Sequence, residues 1–351
     1  MIVPIEITQP PVKRYDITID TLPRLRYDRK VAVVTNPTVA PLHLERVLSR
    51  IEAPRVEVIE VPDGEEYKTM ETVLGILDRL FEARFDRRSL LIALGGGVIG
   101  DMTGFAASLY QRGIGFVQMP TTLLSQVDAS VGGKTGVNNK WGKNLIGAFY
   151  QPEAVYIDPA FLETLPEREY AAGIAEVIKM AVMFDREFFD FLERSDLKDP
   201  EVAKEMIARS VALKADVVNR DEKEAGVRAV LNYGHTFGHV IENETGYSRY
   251  LHGEAVAIGM VMANELAVEL GLLSRDEAER VRRLLEKWGL PVRYAVEDVR
   301  DFYEHFFLDK KSSGGRVKFI LPGGSIGTHV MRDDIPEETV LGVLERFGAA
   351  G

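Results

Sequence analysis

The sequence predicts an α/β N-terminal domain with a Rossmann-like parallel sheet, joined to a mostly α-helical C-terminal domain. Two patterns carry this prediction. In the first half, short β-branched runs alternate with helical stretches, the arrangement that builds a parallel sheet. Beyond Pro159 strand signals nearly vanish, and long apolar stripes at helical spacing take over. The 351 residues suit two domains, divided here as 1–160 and 161–351, each able to bury its own core. An apolar content of 46% and a charged content of 28% are those of a soluble globular chain.

Taking the first domain in order, residues 30–35 (KVAVVT) and 56–61 (VEVIEV) read as strands, each followed by a polar or Pro/Gly turn. Residues 65–85 then place Met70, Val73, Leu74, Leu77, Leu80 and Phe81 at the spacing of a helix packed on such a sheet. Between them, Asp63, Gly64, Glu65, Glu66, Tyr67 and Lys68 stand at the carboxyl end of a strand, where α/β folds bind ligands. Residues 89–94 (SLLIAL) form the clearest strand and run into Gly95, Gly96, Gly97, Val98, Ile99, Gly100 and Asp101. Such a turn lets backbone amides approach a pyrophosphate at a helix N-terminus. Its place in the chain and the lack of a strand-ending acid about 20 residues later depart from the usual dinucleotide fingerprint, so a nucleotide is expected in a variant sheet.

Residues 102–152 carry Arg112, Lys134, Lys140 and Lys143 against Asp128 alone, although the whole chain has a net charge of −11. An anionic ligand is expected there. Gly132, Gly133 and Lys134 offer amides and an ammonium, and Lys143 with Asn144 adds a second charge and an amide. The spacing is not that of a Walker loop. The apolar neighbours Val131, Val137, Leu145, Ile146 and Phe149 argue against a merely solvated loop.

In the second domain, residues 164–167 (TLPE) read as a capping box, after which Ala171, Ile174, Ala175, Ile178 and Val182 draw one apolar stripe. Off that stripe, Glu176 and Lys179 share a face with Gly173, Met180 and Met183, so another element should cover them. Of six histidines in the chain, His235, His239 and His252 fall within residues 232–254 (NYGHTFGHVIENETGYSRYLHGE). A helix puts His235 and His239 on one side, and the turn at 243–246 can return His252 over them. With no cysteine available, a divalent cation would need a carboxylate to complete the set, and Glu176 is the best candidate. Lys214, Arg228 and Asn232 could clamp a carboxylate or phosphate, and Lys310 and Lys311 add cations before a Ser-Ser-Gly-Gly loop. His43, His305 and His329 stand apart and read as structural or exposed. The acidic balance argues against nucleic acid and anionic membranes, the missing cysteines suit a reducing cytosol, and the N-terminus lacks a signal-peptide pattern.

Several motifs, in this order along nearly the whole chain, resemble those of the 3-dehydroquinate synthases: DGEEYK (63–68), GGGVIGD (95–101), MPTTLLSQVDASVGGKTGVN (119–138), GKNLIGAFYQP (142–152), GIAEVIK (173–179), LNYGHTFGHVIE (231–242) and HGE (252–254). The resemblance implies a sugar-phosphate cyclase that uses NAD and zinc or cobalt, works as a homodimer in the cytoplasm, and holds its active site between the two domains. It places metal ligands at Glu176, His235 and His252, and moves His239 from ligand to proton transfer. NAD contacts would fall on residues 63–68 and 95–101, on Thr121, Thr122, Lys134 and Lys143, and on Phe161, Leu162, Glu163 and Thr164. Substrate contacts would fall on Asp128, Lys134, Asn144, Lys179, Lys214, Arg228, Asn232, His239 and the Lys310/Lys311 pair, with Arg112 reaching the neighbouring subunit. Two positions depart from the family pattern, Ala129 in place of serine and Glu222 in place of aspartate, and neither is a ligand. The implied reaction converts 3-deoxy-D-arabino-heptulosonate 7-phosphate to 3-dehydroquinate, a step toward aromatic amino acids. It passes through transient oxidation, phosphate elimination, re-reduction and an intramolecular aldol closure. Rival readings are a metal- and NAD-dependent polyol dehydrogenase, which would release NADH, and another sugar-phosphate cyclase.

Overall fold

The computed structural model describes residues 14–246, 248–307 and 316–348. Six parallel strands form the sheet in the order Asp16–Ile19, Ala154–Ile157, Gly115–Pro120, Leu90–Gly95, Val31–Thr35 and Val56–Glu60. The first-half alternation of strand and helix patterns is therefore a parallel sheet, as predicted. Its central strands are apolar at nearly every position because both faces are covered. Val31 and Val33, with Leu90, Ile92 and Leu94, point into one core; Ala32 and Val34, with Leu91 and Ala93, point into the other.

The second of these cores is closed by the helices Met70–Glu82 and Gly97–Leu109. The buried stripe of Met70–Glu82 runs through Val73, Ile76 and Leu80, whereas Leu74 and Phe81 face water. Helical spacing admits either neighbouring stripe, and the sheet selects one.

After the sheet strand at Gly115–Pro120 the chain makes an antiparallel hairpin, Lys134–Asn139 with Gly142–Phe149. Val131 and Val137 are buried as expected, but Leu145, Ile146 and Phe149 are exposed. The apolar argument for a covered basic loop thus holds for the first strand and fails for the second. A two-stranded hairpin does not by itself cover its outward face, and Phe149 meets the Arg228 guanidinium, 5.8 Å from its ring.

The helical half shares a core with one edge of the sheet. Val155, Ile157, Leu123 and Val127 pack with Ile174, Ile178, Val182, Phe188, Phe237, Ile258 and Leu266. The helix His252–Glu269 lies at the centre, buried around nearly its whole circumference. It packs on His235–Glu244 and Glu167–Phe184. Thr164 does not cap Glu167–Phe184; Pro166 precedes the helix without a side-chain cap, and the Thr164 hydroxyl instead meets His43 Nε2 at 3.0 Å. Among the described residues no helix is long and apolar enough to cross a membrane.

Candidate active site

Three helices bring the ligand set together. Glu176 comes from Glu167–Phe184, His235 from the first turn of His235–Glu244, and His252 from the first turn of His252–Glu269. The close approach depends on absent side chains. A Cβ on Gly253 would lie 2.0 Å from the Ala172 carbonyl oxygen, and one on Gly259 would lie 2.0 Å from that of Gly234. Glycine at these positions lets the helices touch backbone to backbone.

The ligand atoms of Glu176, His235 and His252 all lie within 4.8 Å of one another. Glu176 is fully buried; its Oε1 accepts no hydrogen bond and faces His235 Nε2 at 3.8 Å and His252 Nε2 at 3.6 Å. Its Oε2 is ion-paired with the equally buried Lys179, which confirms that the shared face is covered. His235 Nδ1 pairs with the Tyr233 carbonyl at 3.1 Å, which leaves Nε2 to the cluster. Burial, followed by the nearby Lys179, holds the His235 imidazole well below its ordinary range, so it is neutral, as a ligand must be. An unsatisfied buried carboxylate oxygen between two imidazole nitrogens fits a divalent cation with a coordination position left open. His239 lies beside the trio, its ring 5.4 Å from that of His235 and 6.3 Å from that of His252, and outside the ligand set. A second carboxylate–histidine group, Glu244, Asp301 and His305, lies nearer the surface. His305, expected to stand apart, therefore has acidic neighbours.

Beyond Lys179, the candidate cations Lys214, Arg228 and Lys134 are held by carboxylates and backbone carbonyls. Lys214 Nζ bonds the Asp128 carboxylate and its carbonyl, both at 2.5 Å. Burial works to raise the Asp128 carboxyl, but Lys214 and then Lys179 outweigh it and keep it ionised. Burial lowers Lys214, and Lys179 and Arg228 press the same way against Asp128. Arg228, nearly fully buried, donates to the Gly132 and Glu222 carbonyls. Glu224 is a site residue that the sequence reading misses. It ion-pairs with Lys134 through one oxygen and accepts from Asn232 Nδ2 at 2.7 Å through the other. Its backbone sits in the left-handed region, at φ 60°.

The nucleotide candidates gather at the carboxyl ends of the sheet strands. Gly95 ends its strand and Gly97 opens the following helix, with Thr121 N–H donating to Gly95 O at 3.0 Å. A Cβ on Gly96 would press on Thr122 Cγ2 at 3.2 Å, and one on Gly97 on Ala129 Cβ at 3.2 Å. The turn therefore presents bare backbone at a helix N-terminus, which suits a pyrophosphate. Asp63 accepts from Asn36 and Thr38. Lys68 is buried and donates to Asp101 at 2.6 Å and to Asn144 Oδ1 at 2.5 Å. Phe161 and Thr164 lie in the turn Pro159–Thr164 beside His43. Lys143 leaves the hairpin to meet Glu242 Oε1 at 3.2 Å, which ties the hairpin to the helix His235–Glu244. Arg112 is exposed at the end of the glycine-turn helix, and Lys310 and Lys311 lie outside the described residues.

Family models for the 3-dehydroquinate synthase N-terminal and C-terminal regions match residues 58–172 and 173–312. A 3-dehydroquinate synthase of Sulfurovum sp. (strain NBC37-1) is 71% identical over 347 residues, 99% of each chain. The chain belongs to the 3-dehydroquinate synthase family. Another member, from Sulfurimonas denitrificans, is 60% identical over 99% of this chain and 99% of its own. Among solved structures, a 2-epi-5-epi-valiolone synthase of Streptomyces hygroscopicus subsp. jinggangensis 5008, with NAD+ and Zn2+ bound, has a TM-score of 0.87. It is 30% identical, with coverage of 98% of this chain and 99% of its own. This similarity agrees with the family's α/β plus helical architecture.

Proposed function

We propose that this chain is a 3-dehydroquinate synthase, a carbon–oxygen lyase that converts 3-deoxy-D-arabino-heptulosonate 7-phosphate to 3-dehydroquinate and phosphate. The observation that carries the reading is the Glu176–His235–His252 set, with Glu176 and His235 buried, His252 half-buried and the buried Lys179 paired to Glu176, in a chain 71% identical to a 3-dehydroquinate synthase. When bound, NAD supplies a transient hydride acceptor and a divalent zinc or cobalt ion supplies Lewis acidity at the alcohol.

In this reading Glu176, His235 and His252 hold the cation. Residues 63–68 and 95–101, with Thr121, Thr122, Lys134, Lys143 and residues 161–164, hold the dinucleotide. Lys134 and Asn232 exchange Glu224 for an anionic group of the substrate. Lys134 and Asn144 hold the leaving phosphate, while Asp128, Lys179, Lys214, Arg228 and the Lys310/Lys311 pair orient the rest of a doubly anionic molecule. His239, with bound water, moves the proton. The division at 160/161 then separates a nucleotide half from a half that holds metal and substrate. We further place the enzyme in the cytoplasm as a homodimer, with Arg112 reaching the neighbouring site.

The test is to supply the heptulosonate phosphate with NAD and metal and to follow phosphate and NADH together. Phosphate released without net NADH supports the synthase. Stoichiometric NADH without phosphate release supports a polyol dehydrogenase and overturns this reading.

A further inference from the structure

We infer that Glu242 is a positioning residue for the metal centre: its carboxylate orients His252 and joins that ligand to Lys143 of the nucleotide-side hairpin. The inference rests on the proposed metal site and extends it to a residue outside the ligand set. Glu242 is the third member of a stripe. His235, His239 and Glu242 stand at i, i+4 and i+7 of one helix and so share a face. The side chain is 4% exposed, a depth at which an ionised carboxylate without donors costs several kcal/mol.

Its two donors explain the burial. His252 Nδ1 lies 3.4 Å from Oε1 and Lys143 Nζ lies 3.2 Å from the same oxygen. His252 Nε2 then faces Glu176 Oε1 at 3.6 Å. The imidazole is therefore held at both ends: one nitrogen points at the ligand carboxylate, the other at Glu242. His235 is oriented on the same plan, with Nδ1 on a backbone carbonyl. The two ligands differ in one respect. The Tyr233 carbonyl is part of the main chain, whereas the Glu242 carboxylate is a side-chain group shared with a lysine from another element. A carboxylate that fixes the second nitrogen of a histidine ligand sets the tautomer and raises the ligand's basicity, and its loss weakens metal binding about 10–100-fold.

The test measures metal affinity directly, by zinc competition with a chromophoric chelator in the absence of NAD and substrate. Glu242→Gln should weaken zinc binding about 10–100-fold, while its metal-free melting temperature stays close to wild type. His252→Ala, run in parallel, should abolish tight binding. If His252→Ala keeps wild-type affinity, the metal site itself is misassigned. If His252→Ala loses zinc but Glu242→Gln binds it within twofold of wild type, the site stands and the role given to Glu242 falls. Should Glu242→Gln fail to fold, nitrogen NMR of ¹⁵N-histidine-labelled, zinc-loaded wild type decides the matter. Zinc on Nε2 of His252 with a proton on Nδ1 supports the inference, and zinc on Nδ1 overturns it.

Discussion

Gly253 stands between a proposed metal ligand and Glu254, whose carboxylate is ion-paired with Arg168, and replacing it with alanine should disturb stability and metal binding together. The added Cβ would sit 2.0 Å from Ala172 O, 2.6 Å from its carbonyl carbon and 2.7 Å from its Cα. Ordinary contact begins near 3.4 Å, so the helices carrying His252 and Glu176 must separate by about 1.4 Å at this point. No rotamer change relieves the clash, because the obstacle is backbone. Overpacking of this kind costs about 3 kcal/mol at the upper end, and the better helix propensity of alanine returns about 1 kcal/mol. The net loss of roughly 2 kcal/mol corresponds to a fall of about 4–8 °C in melting temperature for a unit of this size. Metal–ligand bonds tolerate about 0.2 Å, so zinc affinity should drop by at least tenfold. Gly75 provides the control. It also lies within a helix, yet a Cβ there meets nothing within 4 Å, and Gly75→Ala should stabilise by about 0.5–1 kcal/mol. Thermal melts and chelator competition on both variants read the outcome. If Gly253→Ala melts like wild type and keeps its zinc affinity, the close helix contact is not what aligns the ligands.

Two further perturbations follow from the charges around the site. Lys214→Met leaves Asp128 without its nearest cation and should cost roughly 3 kcal/mol in urea unfolding. Adding Asp128→Asn should recover most of that stability without recovering turnover; a double variant no more stable than the single one would refute the pairing. Asp221 accepts backbone N–H bonds from Ala225, Gly226 and Arg228, and these hold its carboxyl below the ordinary range. A depressed folded-state pKa contributes stability that is present above about pH 4 and is lost as the pH falls. Asp221→Asn should therefore be less stable than wild type near neutrality, with the gap in urea midpoint closing in acid. A gap independent of pH would contradict the assignment.

Much of the fold was legible because burial leaves a simple mark. Val31–Thr35 and Leu90–Gly95 are apolar at nearly every position and became the central strands. Glu176 was legible from its surroundings, since a carboxylate among Gly173, Met180 and Met183 had to be covered. His252 was legible from crowding in a chain with few histidines. Other features were not written locally. Glu224 sits in the charged run DEKE, whose composition is that of a solvated turn. Only the fold reveals that Asp221 caps this turn and aims Glu224 at Lys134, 90 positions away. Glu242 carried a signal that went unused, its i+7 spacing from His235. The Glu244–Asp301–His305 group joins residues from distant parts of the chain, which spacing cannot foresee. The exposed Leu145, Ile146 and Phe149 show the converse limit, because an alternating strand does not say whether either face will find a partner.

The most direct measurement is anomalous diffraction at the metal edge from crystals of the protein loaded with one equivalent of zinc or cobalt. The account predicts a single site bonded at about 2.0–2.2 Å to a Glu176 oxygen and to Nε2 of both His235 and His252. A peak at Glu244, Asp301 and His305, or one ligated by His239 in place of His252, would contradict it.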